Sequence, residues 1–357
     1  MLVVLVAFIV SKEAFALRSS PVRPILQRPI SRVRRDAALS TNEIRLKKQI
    51  KTVWRFTRPH TLIGTIVSIP AVHALASPTF LACFTPTFWY CVLSALIPAM
   101  FVNVFITGLN QVHDADIDKI NKPQLPIAAG DLSIKDGKIL SWTSLALAAI
   151  STSVMMPTLP LLTVLIGSAL LGAAYSAPPL RLKRWPLPAA LCIITVRGAL
   201  VNICFFFHAC LHGFVQGTTA RTSLEAYLYP ITFFFAIFGF AIALLKDVPD
   251  THGDAQFDVT TASTALGRHT VFSFATNILI VASAINSALF LAAAFYSSSL
   301  FFSFTRSMVG LALGFLAFDL QTKAAAVDPA NDQAVTQFYM RLWNLFYASY
   351  FMLPFVR

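Results

Sequence analysis

The sequence predicts an all-α membrane protein, a bundle of about nine transmembrane helices. Three observations carry this. The 357 residues are 56% hydrophobic and only 12% charged, with a mean hydropathy of +0.68, which excludes an ordinary soluble globular domain. Apolar runs of bilayer-crossing length, roughly 17–25 residues, recur along the chain. Charge is sparse inside those runs and gathers between them.

The runs lie at about 61–78, 87–109, 138–155, 159–176, 188–210, 227–245, 271–295, 299–317 and 336–355. Ahead of the first, residues 41–58 (TNEIRLKKQIKTVWRFTR) have helical spacing, with Trp54 and Phe56 suited to the membrane surface. The five cysteines, Cys83, Cys91, Cys192, Cys204 and Cys210, are odd in number and lie in or beside spans without a CxxC. They read as packing residues rather than as a disulfide framework or a zinc site.

The net charge of +12 does not point to nucleic acid, because its location is wrong for that. Residues 1–58 hold 13 of the 28 Lys and Arg and only three acids (Glu13, Asp36 and Glu43), a net +10. Within them, 1–17 opens with MLVVLVAFIV, too short to span, and resembles a signal peptide with small residues at Ala14-Phe15-Ala16. Residues 18–40 are rich in Arg, Ser and Pro with no acid before Asp36, the composition of an organellar transit peptide. Together they predict the two-part presequence of a protein sent to a secondary plastid, leaving 41–357 as the membrane domain.

With nine spans, the loops after spans 2, 4, 6 and 8 share the side of the N-terminal segment. They carry Lys119, Lys122, Lys135, Lys138, Arg181, Lys183, Arg184, Lys246, Arg268 and Lys323; the other side has Arg221 and Arg306. By the positive-inside rule the basic side faces the cytosol or its organellar equivalent, the stroma. Nine of the sixteen acids lie there too: Asp114, Asp116, Asp118, Asp131 and Asp136 after span 2, and Asp247, Asp250, Asp254 and Asp258 after span 6.

Their spacing is informative. If the helix of span 2 runs on, Asn110, Asp114 and Asp118 stand at i, i+4 and i+8 and form one stripe, while Asp116 points away. After span 6, KDVPDTHGD repeats the idea: Asp250 and Asp254 are four apart, and Asp247 precedes Asp250 by three. Crowded carboxylates repel and raise one another's pKa unless a cation holds them. Oxygen-only ligands favour Mg2+ over zinc, and Mg2+ is usually completed by substrate phosphates. Two such stripes read as a clamp for Mg2+-bound diphosphate. Spans 1–4 and 5–8 would then be rough internal copies.

In YSAPPLRLKRWP, Pro178 and Pro179 end span 4, so Arg181, Lys183 and Arg184 emerge at the same surface. Taken alone, that run is an ordinary topology signal; beside the aspartates it can hold diphosphate oxygens. Lys122, Lys246 and Arg197 are further candidates. Arg197 stands out because it lies inside an apolar span, where an unpaired charge is expensive. Asn202 shares that span.

At this point the motifs are recognisable. NxxxDxxxD with NKPxLPxAxG downstream, and KDxPDxxGD, resemble the UbiA-type intramembrane aromatic prenyltransferases. RPHTLIGT, GLNQVHDADIDKINKPQLPIAAGDLS, YSAPPLRLKRWP with ITVRG, and KDVPDTHGD resemble the plastid homogentisate branch, closest to the solanesyltransferases. The resemblance spans about residues 54–355 and departs at His113 and Ala115, on either side of Asp114. It implies nine helices around a central cavity. Asn110, Asp114, Asp118, Asp250 and Asp254 would hold Mg2+ and diphosphate, with Asp247 nearby. Lys122, Arg181, Lys183 and Lys246 would neutralise departing diphosphate, and Tyr175 would line the path of the allylic cation. The implied reaction joins a long prenyl chain, solanesyl, to homogentisate with loss of CO2, giving a methyl-prenyl-benzoquinol for plastoquinone. Arg197, Asn202 and His208 are candidates for ordering homogentisate. Membrane lipid is the surrounding partner, and no protein partner is implied. Homogentisate phytyl transfer, as in tocopherol synthesis, is the alternative within the enzyme class. A divalent-cation transporter is the rival outside it, but it would place carboxylates near span centres, without a basic counterpart.

Overall fold

The computed structural model describes residues 47–155, 157–214 and 218–356. The targeting readings for 1–17 and 18–40 fall outside these residues. The chain divides into units 1–50 and 51–357; of the first, residues 47–50 are described, and they are helical and exposed.

In the second unit, residues 51–56 are helical and are followed by nine long helical segments. These are α1 (Pro59–Ala76), α2 (Pro86–His113), α3 (Ile134–Val154), α4 (Leu159–Ser176), α5 (Pro186–His212), α6 (Thr218–Lys246), α7 (Arg268–Phe295), α8 (Leu300–Ala324) and α9 (Asp332–Phe351). Seven are long and apolar enough to cross a membrane; α3 and α9 are the exceptions. No strand occurs among the described residues.

Local chemistry sets the helix starts. Thr85, Ser133 and Thr158 each accept a hydrogen bond from the backbone N–H three residues on, and Asn331 accepts from Gln333 and Ala334. The Ser133 cap begins α3 four residues before the apolar run suggested. Similarly, α6 starts at Thr218, ahead of the expected 227, and α9 gives way at Pro354 to a short 3-10 turn, Leu353–Phe355. The expected regular helix of span 5 is interrupted: α5 carries π-helical turns at Ile194–Leu200 and Cys210–Phe214.

The helices fall into inner and outer sets. The most apolar stretches of α1 and α2 are 61% buried, while those of α7 and α8 are 28% and 33% buried, although α7 is the more apolar of the four. Outward Leu170, Phe295, Phe304 and Phe315 are more than half exposed, as helices facing lipid require. Inside, Phe205, Phe235, Phe238, Trp343, Phe346 and Tyr350 are fully or nearly buried, and Phe235 stacks on Tyr350 with ring centroids 3.9 Å apart. α5 meets α6 backbone to backbone: a Cβ on Gly198 would sit 2.7 Å from Ala236 Cα. Contacts described below bring the C-terminal ends of α2, α4 and α6 together at one face.

Candidate active site

Both acidic segments reach that face as short helices, Ala115–Asn121 and Thr251–Gln256. α2 does not run straight into the first. It stops at Asp114 (φ −106°, ψ 13°), yet Asp114 N–H still donates to Asn110 O (3.0 Å) and Asp118 N–H to Asp114 O (2.8 Å). The i, i+4, i+8 stripe therefore survives the break. Asp114, Asp118, Asp250 and Asp254 are all at most 7% exposed and share one polar cavity of about 40 Å³ with Asp247. Asp116 faces out and pairs with exposed Lys119 at 2.8 Å.

Asn121 locks the two segments together. Its Nδ2 donates to Asp254 Oδ1 (3.1 Å), and its Oδ1 accepts from the Gly253 N–H (3.1 Å). A Cβ on Gly253 would collide with the Asn121 amide, so this contact explains the glycine in KDVPDTHGD.

Basic groups answer the carboxylates. Lys183 and Arg181 (3.4 Å) reach Asp114 Oδ1, whose other oxygen accepts from Asn110 Nδ2 at 2.7 Å. Lys122 pairs with Asp250, and Lys246 lies 3.3 Å from Asp247 while donating to Tyr175 OH at 2.8 Å. Asn110 Nδ2 also lies 3.3 Å from Ser176 Oγ, tying the end of α2 to that of α4.

The cluster is electrostatically strained. Burial raises the Asp118 pKa, with Asp114 and Asp250 adding to it against Arg58 and Lys122. Burial pushes Asp254 up to about 7, helped by Asp247 and Asp250. Asp247 is also raised by burial, despite Lys246. Burial works against the Lys122 ammonium, but Asp250 and Asp118 outweigh it and its pKa rises. For Lys183 burial wins over Asp114, and its pKa falls.

Two sets of unmet bonds remain among the described residues. Asp118 Oδ2 is buried with no hydrogen-bond donor, its nearest cation being the Arg58 guanidinium at 3.8 Å. Arg58 Nε and Arg181 Nε are buried donors with no acceptor. Both arginines hold left-handed backbone, with φ of 49° and 40°, which costs a non-glycine residue on the order of 1 kcal/mol or more. Orphaned carboxylate oxygen beside orphaned guanidinium donors fits a hard cation carrying an anion; the oxygen-only donor set suits Mg2+.

A second cavity of about 220 Å³ opens from the first, sharing Arg58, Asn110, Tyr175 and Lys246. His60, Thr61 and Asn103 are among the polar residues of its lining, and Ile106, Leu171, Ile193, Val196 and Ile242 are among the apolar ones. Arg197 joins that lining from the π-helical turn, with its guanidinium 4.5 Å from the centre of the Trp343 ring. Among the described residues no carboxylate pairs with it.

The structure thus brings together Asn110, Asp114, Asp118, Lys122, Tyr175, Lys183, Lys246, Asp247, Asp250 and Asp254, with Arg181 bonded to Asp114 and Arg197 in the adjoining cavity. Two further expected residues, Asn202 and His208, lie in the lining of neither cavity and do not pair with the aspartates. Asn202 is fully buried; its Nδ2 donates to Gly198 O (2.7 Å) and Arg197 O (3.2 Å), carbonyls of the π-helical turn, while its Oδ1 accepts from Tyr350 OH (3.1 Å). It supports the turn that presents Arg197 rather than a ligand. His208 sits toward the opposite end of α5, between Ser94 and Thr158. Arg58 and Asn121 do not stand out individually in the sequence, although both belong to its motifs, RPHTLIGT and NKPQLPIAAG.

The chain is similar to known proteins in sequence and in fold. Residues 65–345 match the UbiA prenyltransferase family. The chain is 38% identical over 314 residues to a homogentisate geranylgeranyltransferase of Triticum aestivum, covering 87% of this chain and 74% of that protein. It is 36% identical over 313 residues to homogentisate phytyltransferase 1, chloroplastic, of Arabidopsis thaliana (87% and 76% covered), and 35% identical over 314 residues to the Arabidopsis thaliana homogentisate solanesyltransferase, chloroplastic (85% and 76%). In fold it is similar to a UbiA homolog from Archaeoglobus fulgidus bound to GPP and Mg2+, with a TM-score of 0.55 at 16% identity, covering 85% of this chain and 99% of that one. The chain belongs to the UbiA prenyltransferase family.

Proposed function

We propose that the protein transfers a prenyl group from a prenyl diphosphate to homogentisate in a Mg2+-dependent reaction with loss of CO2. One observation carries the reading: Asp118, with a buried carboxylate oxygen that has no donor, and Arg58, with a buried Nε that has no acceptor, line the same polar cavity among the described residues. Asp114, Asp118, Asp250 and Asp254, with Asn110, would hold Mg2+, which polarises the diphosphate oxygens and makes diphosphate a better leaving group. Lys122, Lys183, Arg58 and Arg181 neutralise the charge that builds on those oxygens as the carbon–oxygen bond breaks. Tyr175, held by Lys246 where the two cavities meet, lines the path of the allylic carbon, and apolar walls keep water from the cation.

Arg197 is the anchor for the acetate carboxylate of homogentisate, being a half-buried cation in the cavity wall without an acidic partner among the described residues. A ring carbon gives an electron pair to the new carbon–carbon bond and then loses its proton. The acetate carboxyl leaves as CO2, and a proton takes its place to leave a methyl group. The product is a methyl-prenyl-benzoquinol. Solanesyl is the donor chain read from the motifs; relatives named for geranylgeranyl, phytyl and solanesyl transfer match over similar stretches, so the donor is decided by experiment.

Charge asymmetry between loops supports a stromal Asp-rich face in a plastid membrane, and the composition of 1–40 supports a two-part presequence. The test is transfer of each of three donors, solanesyl, phytyl and geranylgeranyl diphosphate, to radiolabelled homogentisate by membranes containing the full chain. Solanesyl product places the protein in plastoquinone synthesis, and phytyl preference moves it to tocopherol synthesis. No transfer from any donor by folded protein removes the homogentisate assignment.

A further inference from the structure

At the far end of α1, α2 and α5 a second cluster of ligating groups converges. Cys91 and Asp114 lie on the same run of helix, 23 residues apart, which at 1.5 Å per residue separates the two clusters by on the order of 35 Å. His73, Cys91 and His208 are all buried, and one ligand atom from each lies within 4.8 Å of the others.

Hydrogen bonding prepares these groups. His73 Nδ1 lies 2.8 Å from Ile69 O, so Nδ1 carries the proton and donates it. The Nε2 lone pair is left fully buried without a partner, a costly state for a polar atom and the tautomer that ligates metals. His208 has Thr158 Oγ1 2.8 Å from Nδ1 and Ser94 Oγ 3.2 Å from Nε2. Ser94 Oγ–H is itself donated to Cys91 O (2.7 Å), so without an ion Nε2–H donates to Ser94; an ion on Nε2 takes the place of that bond, with Nδ1–H turned to Thr158. The His212 ring lies 4.6 Å from that of His208, and its Nε2 is buried without a partner too.

We infer that His73, Cys91 and His208 bind one Zn2+ ion, at a site separate from the aspartates. Two imidazoles and a thiolate suit this borderline ion, whereas the all-oxygen cluster suits Mg2+. Binding displaces the Cys91 thiol proton, so one proton leaves per ion. The ion ties together the three helices that carry Asn110, Arg197 and, at the mouth of α1, Arg58 at their other ends. The ligands come from three separate spans, so no short motif announces them.

The test uses the full chain purified in detergent without chelator. Metal analysis is expected to give about one zinc per chain, retained in an Asp114→Ala/Asp250→Ala protein and lost in Cys91→Ser, which keeps the side chain's size. X-ray absorption at the zinc edge of the unmutated protein should show one sulfur at about 2.3 Å beside nitrogen. Co2+ reloaded after stripping should give a thiolate charge-transfer band that Cys91→Ser abolishes. Zinc-free folded protein, oxygen-only scattering, a different metal on these ligands, or a band that survives Cys91→Ser overturns the inference. The scattering measurement decides the matter even if the variant fails to fold.

Discussion

Asn121 and Gly253 provide a sharp test of how the two acidic segments are held. Asn121→Ala removes the bond to the Gly253 N–H, worth about 1 kcal/mol, and the charge-assisted bond to Asp254, worth about 2 kcal/mol. Together these make about 3 kcal/mol, roughly 100-fold in kcat/KM if all of it positions the carboxylates for the transition state. Gly253→Ala should cost at least as much, because its new Cβ must drive the same amide away. The double variant is informative: once residue 121 is alanine, the Cβ at 253 has space, so the pair should lose no more than Asn121→Ala alone. The assay is prenyl transfer at saturating donor across a Mg2+ titration, with thermal unfolding as a control for folding. Multiplicative losses in the double variant, approaching 10000-fold, would refute the lock.

Other substitutions separate roles. Arg197→Met should raise the KM for homogentisate by about 10–100-fold, the value of a charged hydrogen bond, while leaving the KM for donor nearly unchanged. Asn202→Ala should instead lower thermal stability by about 1–3 kcal/mol through the lost Gly198 and Tyr350 bonds, with any further change confined to the KM for homogentisate, because the turn it supports presents Arg197. Lys119→Ala breaks only the exposed pair with Asp116 and should change activity less than twofold, whereas Lys183→Ala, which removes the nearest of the two cations on Asp114, should reduce kcat by at least 100-fold.

Much of the site was legible because helical period fixes which side chains share a face. The stripe Asn110, Asp114, Asp118 and the outward Asp116 follow from a 3.6-residue turn, and the π-helical and kinked backbone disturbs neither. What period does not encode is which helix ends meet. The roles of Asn121 and Arg58 depend on contacts across more than fifty residues of chain, and on a left-handed backbone at Arg58 that no residue preference at arginine would suggest. Asn202 misled for a related reason. A polar residue in an apolar span reads as a ligand, but here a π-helical turn leaves carbonyls that its amide satisfies. The cysteines looked bland because spacing along one strand of chain cannot reveal donors brought together from α1, α2 and α5.

In the proposed function, two separate acidic segments build one magnesium-dependent diphosphate site. The most direct test is the Mg2+ dependence of prenyl transfer to homogentisate by the unmutated protein, Asp114→Ala, Asp250→Ala and the double variant. Transfer should need Mg2+, each single variant should fall by about 1000-fold or more, and the double should be little worse, since carboxylates acting as one unit are lost together. Transfer independent of Mg2+, or near-normal activity in either folded single variant, would contradict it.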